Sequence, residues 1–299
     1  MPNTKQDWLM FFRDQAEQDK SIVVRMQKDY KSQASEINKR IKAYRDAVIS
    51  EKESRSTRSP LQNNQQLLHD ILMITYTSNI VMLESRNSVW EYEYMAFARR
   101  IGELWEPFCK LAFDFPIKAL NIIDPPNFAE VQSGIQRRAL AYINALSISN
   151  EEKRELKTHF SIPWSLVDSG GIKLGLDLHF EQDGIHYNCD FKSGFSSNEK
   201  GNTNRLLLVA SIYHSLSDQE KTLLFVRQNE DENNHYLLTL KNSPYWDVYC
   251  GNDCYQAMKS FTGFDMRAWL DNNVDWEGDI SPEFREHLKR NDLLKYLTW

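Results

Sequence analysis

Apolar residues recur at spacings of three, four and seven through the first 58 residues, at Val23, Met26, Tyr30, Ile37, Ile41, Tyr44 and Val48. That stretch holds no Gly and only one Pro, at position 2, so it is predicted to be helical. The stripe is thin and flanked by charges, which suits a long helix packing on a partner helix, a dimer mate or the protein's own core. Ser59-Pro60 marks a break, placed at Ser56 to Asn63. A second helical block spans about Gln65 to Phe113, and its later part puts Trp90, Tyr94, Phe97, Ile101, Leu104, Trp105, Phe108 and Leu111 on one face, with Pro107 expected to bend it. Pro116 to Pro126 reads as a loop. Helices are predicted near Phe128 to Ala145 and Asn150 to His159, with Asn150 as N-cap and Glu151 and Glu152 in the first turn.

From there the period changes. Trp164 to Val167 reads as a short strand, and Ile172 to Lys192 alternates apolar and polar residues on either side of Asp183-Gly184, a pair typical of two-residue hairpin turns. Such a turn pairs Gln182 with Ile185 and fixes everything behind it: Phe180 faces Tyr187, Leu178 faces Cys189, and Asp177 falls opposite Asp190. Ser193 to Asn204 is a polar loop leading to a helix at Arg205 to Leu216, followed by a strand at Lys221 to Arg227. Further strands are predicted at His235 to Leu240 and Trp246 to Tyr249, then helices at Tyr255 to Leu270 and Pro282 to Tyr296.

The predicted pairing makes a chemical demand. Two carboxylates opposite each other in a sheet sit about 5 Å apart between Cβ atoms, and at an effective dielectric near 20 they repel by roughly 3 kcal/mol. A divalent cation shared between them turns that repulsion into attraction. Lys192, two residues beyond Asp190, lies on the same face and brings an ammonium to the edge of such a site. The chain contains four acidic-x-Lys tripeptides, at Asp29, Glu151, Glu155 and Asp190, but only the last sits on an alternating strand with a second Asp placed opposite.

These residues resemble the PD-(D/E)XK nuclease superfamily, the fold of most type II restriction endonucleases. Asp177 matches the family's first acid, Asp190 the second and Lys192 the lysine, while Leu176 stands where the family often has Pro. The resemblance covers about 120 residues. It implies an α/β (α+β) fold with a restriction-endonuclease-like core, in the order helix, three strands, helix, strand, with a central mixed sheet flanked by helices and a helical N-terminal extension. Residues 1–86 would then form a helical region for embracing DNA or dimerising, and 87–299 the nuclease core with C-terminal additions. The implied cofactor is Mg2+, held by Asp177, Asp190 and the backbone carbonyl of Phe191, with Glu106 or Glu93 of the preceding helix as further acids. Glu103 lies away from that helix's apolar face.

The implied activity is Mg2+-dependent cleavage of double-stranded DNA at a short specific site, by a homodimer with a companion DNA methyltransferase protecting host DNA. Asn198, Lys200, Asn202, Asn204 and Arg205 are the expected DNA contacts. Two alternatives stay open: a repair, recombination or phage-defence nuclease of the same fold, and a non-catalytic binding module built on it.

Composition bounds this picture loosely. The 299 residues carry a net charge of −6, yet residues 1 to 60 hold 13 Lys or Arg against 9 Asp or Glu, so local charge matters more than the total. The four cysteines lack the spacing of a zinc site or disulfide framework and are expected to be free thiols. No apolar run of membrane-spanning length and no secretory leader is visible, so a cytoplasmic location is expected. There is no glycine-rich phosphate loop.

Overall fold

The protein is described here from a computed structural model, which covers residues 2–26, 28–56, 60–166, 174–196 and 199–299. Four helices come first: α1 (Lys5–Val24), α2 (Tyr30–Ser56), α3 (Pro60–Val89) and α4 (Tyr94–Asp114). The start of α1 is closed by a capping box, in which Thr4 Oγ1 accepts from the Asp7 N–H at 3.2 Å and the Asp7 carboxylate accepts from the Thr4 N–H at 3.0 Å. Val23, Ile37 and Ile41 of the predicted stripe are buried against the chain's own helices, whereas Met26, Tyr30 and Tyr44 face outward. α4 runs through Pro107 and is the most clearly two-faced of the four, burying Phe97, Ile101, Leu104, Trp105, Phe108 and Phe113. Trp90, expected on that face, instead lies in the connection between α3 and α4 and is exposed.

The remaining elements are β1 (Asn121–Ile122), α5 (Phe128–Ala145), α6 (Asn150–Leu166), β2 (Leu178–Gln182), β3 (Ile185–Lys192), α7 (Lys200–Leu216), β4 (Glu220–Val226), α8 (His235–Lys241), β5 (Trp246–Cys250), α9 (Gly251–Thr262), α10 (Met266–Asn273), α11 (Trp276–Asp279) and α12 (Pro282–Arg290). The five strands form one mixed sheet in the order β1-β2-β3-β4-β5. The first three are antiparallel, and β3, β4 and β5 run parallel through crossovers at α7 and α8. The chain is thus an α/β protein with a five-stranded mixed sheet flanked by helices.

Several expectations are corrected. Residues 164 to 166 belong to α6 rather than to a strand, and Val167 lies outside the described residues; the first strand of the sheet is instead the two-residue β1, set in the loop before α5. α6 is capped by Ser149, not Asn150: Ser149 Oγ accepts from the Glu152 N–H at 3.2 Å, and the Glu152 carboxylate accepts from the Ser149 N–H at 2.8 Å. His235 to Leu240 is helical because Asn234 caps it, its side chain accepting from the Tyr236 N–H at 3.0 Å. The predicted helix at Tyr255 to Leu270 is two helices, separated where Gly263 adopts φ 78° as the C-cap of α9.

The hairpin follows its predicted register. Gln182 pairs with Ile185, Phe180 with Tyr187 and Leu178 with Cys189. Asp183 and Gly184 take φ 54° and 78°, both left-handed, as a type I′ turn demands. Gly184→Ala meets open space but a strained backbone, so we expect a stability loss of about 1 kcal/mol with cross-strand contacts unchanged; chemical denaturation and an NMR check of the Leu178 and Cys189 contacts would test this.

Both faces of the sheet are covered. Leu178, Phe180, Cys189, Phe191, Leu223 and Phe225 point into a large core shared with α4, α9 and the N-terminal helices. The opposite face carries His179, Asn188, Asp190, Leu224 and Val226, and α7 and α8 close over it with Leu206, Ala210, Leu237 and Leu240. The polar face of the hairpin is therefore interior, and its polar groups need partners there.

Candidate active site

Asp177 immediately precedes β2, at the edge of the sheet where the parallel strands β3, β4 and β5 end. Its place is set by a hydrogen-bond relay on the buried face. The Leu176 N–H donates to His179 Nε2 at 2.9 Å, which leaves Nδ1 to donate to Asn188 Oδ1 at 2.8 Å. Asn188 Nδ2 in turn donates to Glu220 Oε2 at 2.7 Å. Burial lowers the pKa of His179, consistent with this neutral tautomer. His179 is thus a structural group of the hairpin, and His186 pairs with Glu220 at 2.9 Å on the exposed side.

With the entry to β2 held, Asp177 Oδ2 accepts from the Phe191 N–H at 2.8 Å. Asp177 therefore sits across from the Asp190-Phe191-Lys192 segment, as the hairpin register requires, although the regular ladder ends one residue earlier at Leu178. Asp190 is 1% exposed. Burial raises its pKa, Lys192 lowers it, and Asp177 raises it again. The Lys192 ammonium makes an ion pair with Asp190 Oδ1 and donates to the Phe191 carbonyl at 3.1 Å. Arg205 Nη2 reaches Asp190 Oδ2 at 3.3 Å.

α4 brings the third acid. Gly102 lets the helix approach the segment after β3 closely, since a Cβ there would lie 2.7 Å from the Ser193 side chain. One turn on, Glu106 is half-buried, and its pKa is raised first by burial and then by Asp177. It also pairs with Lys110 at 3.5 Å. Glu93 lies further off, on the wall of a neighbouring cleft, and Glu103 is turned away and paired with Arg99 at 3.1 Å. Of the expected acids, Asp177 raises the pKa of both Asp190 and Glu106.

The residues expected to meet DNA are distributed differently from a loop. Lys200, Asn202 and Asn204 lie in the first turns of α7, which starts before Arg205. Lys200 and Asn204 are exposed, Asn202 donates to Glu199 at 3.1 Å, and Arg205 turns to Asp190. Asn198 lies outside the described residues.

The cleft holds about 1210 Å³ and lies beyond the carboxyl ends of β3, β4 and β5, where open α/β sheets bind ligands. Ser193 to Ser196, Arg227 to Asn229 and Gly251 to Asn252 line it. Arg227 is not among the residues expected from the sequence. Its guanidinium donates to Ser193 Oγ at 2.8 Å and to the Thr298 carbonyl at 2.7 Å, and forms no ion pair among the described residues. A basic residue at the end of a predicted parallel strand is the signal that would have found it.

The donor set fits a hard divalent cation. Asp190 Oδ1 is buried and accepts no well-formed hydrogen bond, and it converges with the Phe191 carbonyl on one positive charge, the Lys192 ammonium. Among the described residues no three His, Cys, Asp or Glu side chains converge as a ready-made metal cluster. Mg2+ does not require one, because it keeps several waters and uses one or two carboxylates together with substrate phosphates. Compared with family models, curated proteins and solved structures, the chain matches none. Among the described residues no helix is long and apolar enough to cross a membrane.

Proposed function

We propose that the protein is a Mg2+-dependent nuclease that hydrolyses phosphodiester bonds in double-stranded DNA, acting as a type II restriction endonuclease. The observation that carries this reading is the convergence of Asp190 Oδ1 and the Phe191 carbonyl on a single cation, with Asp177 bound to the same segment through the Phe191 N–H. Asp177, Asp190 and the Phe191 carbonyl would hold Mg2+, with Glu106 close enough to contribute through water. Bound there, the ion supplies Lewis-acid polarisation of a phosphoryl oxygen and activation of a water.

The chain's own residues then have defined tasks. Lys192 gives up the two oxygens that it now occupies and presents its ammonium at the mouth of the site, to orient the attacking water, exchange a proton with it at Nζ or neutralise charge on the phosphate. Arg205 loses part of its claim on Asp190 and can turn its exposed end toward a backbone phosphate. The cleft that begins at Ser193, one residue beyond Lys192, offers room for the strand. A symmetric duplex site would call for two copies of the chain, and a cell carrying such an activity would need a companion methyltransferase to protect its own DNA.

The test is digestion of several plasmids with and without Mg2+, beside Lys192→Ala. Discrete, Mg2+-dependent fragments that the variant fails to produce are expected. Cleavage that survives in Lys192→Ala, or proceeds without a divalent metal, would remove this site from consideration.

A further inference from the structure

A second, smaller cavity of about 320 Å³ lies between α2, α3 and the start of α4, and its lining is strongly basic. Lys31, Arg86, Arg99 and Arg100 border it against one carboxylate, Glu103, in a chain whose total charge is −6. Glu103 is already engaged, with Arg99 at 3.1 Å and Arg100 at 3.5 Å.

Arg86 is the unusual member. It is 8% exposed, and its guanidinium is held between the rings of Trp90 and Tyr92, at 4.2 and 3.8 Å from their centroids. It donates to the Trp90 carbonyl and makes no ion pair among the described residues. Burial lowers its pKa, and Tyr92 and Glu93 oppose that only in part. A buried guanidinium without an anion is costly to keep, and its planar fork suits phosphate oxygens. On the opposite wall Asn38 Oδ1 is buried and accepts no hydrogen bond. The cavity therefore has unfilled capacity of two kinds, positive charge for an anion and an acceptor for an N–H or O–H donor.

We propose that this pocket binds a nucleotide, its phosphate against Arg86 and Arg100 and its sugar or base donating to Asn38. The volume lies at the lower end of the ~300–1,000 Å³ usual for small-molecule sites. Ala96 and Arg99 line both this pocket and the large cleft, so the two adjoin across the first turns of α4. The nucleotide can thus come from a DNA strand lying in the cleft or from solution. The DNA source rests on the nuclease reading, and the free nucleotide does not.

The experiment uses the full chain without divalent metal, titrated calorimetrically with deoxyadenosine 5′-monophosphate, with inorganic phosphate and with a short DNA duplex. The monophosphate is expected to bind at least about ten-fold more tightly than phosphate. Arg86→Gln should weaken it by about ten-fold or more, and Arg100→Gln, a partly exposed position that threatens folding less, by about five-fold. Monophosphate that competes with the duplex identifies a nucleotide of the DNA as the natural occupant, and monophosphate that binds alongside the duplex identifies a free nucleotide.

Absence of binding by all three probes, or binding unchanged in folded Arg86→Gln and Arg100→Gln, overturns the proposal. Plasmids left uncut while monophosphate binding still depends on Arg86 would refute the nuclease reading alone. Normal plasmid cleavage by a parent protein that binds neither the monophosphate nor phosphate would refute the pocket alone.

Discussion

Asp190→Asn is expected to abolish Mg2+-dependent DNA cleavage while leaving the protein at least as stable as the parent. The carboxylate is almost wholly buried and its pKa is raised chiefly by that burial, so the folded state bears a desolvation cost at neutral pH. Asn keeps the shape and removes the charge. The cations left behind, Lys192 and Arg205, have side chains 20% and 43% exposed, so water can replace the lost partner. Activity should respond the other way, because a neutral amide is a poor ligand for Mg2+ and charge stabilisation of several kcal/mol corresponds to a fall on the order of 10³-fold or more. Thermal melting alongside a plasmid assay separates the two effects. A strongly destabilised variant would mean that the ion pairs outweigh the cost of burial, and a fully active one would exclude Asp190 as a ligand.

Phe225→Ala should cost about 3–5 kcal/mol, the usual range for emptying a buried aromatic site. Phe225 is fully buried near the carboxyl end of β4, with ring centroids of Phe191 at 5.0 Å, Tyr249 at 6.0 Å and Phe113 at 6.1 Å. It joins α4 to the strand that carries Asp190, so the cavity would open directly beneath the site. Equilibrium unfolding in urea measures the loss. A cost below about 1 kcal/mol would show that neighbouring rings collapse into the space, which the dense aromatic packing makes difficult.

The hairpin was legible in the sequence because three independent signals met there: a turn pair that tolerates left-handed backbone, a period of two, and polar residues kept to one side. Those signals also place Asp177 opposite Asp190. What they could not convey is that the polar side is interior, since burial of His179 and Asn188 depends on α7 arriving from elsewhere in the chain. Short apolar runs misled twice, each time in the same direction. Trp164 to Val167 and His235 to Leu240 have strand-like lengths, and periodicity cannot separate a buried helical turn from a strand at that size. Asn234, directly before the second run, was the cap signal that would have corrected it. The acids and the lysine were readable as a local pattern, whereas Glu106, Arg205 and Arg227 gained their places only through helix packing and crossover topology.

Phe191 holds one acid through its N–H and accepts from the Lys192 ammonium through its carbonyl, while its ring packs on Trp105 and Phe225 at 5.8 and 5.0 Å. The site is thus mounted on the core with no compliant segment between them. Heat or a poorly fitting ring at position 191 would detune the acids well before the protein melts, so a saturation scan should score this phenylalanine among the chemically essential positions for reasons that are purely mechanical.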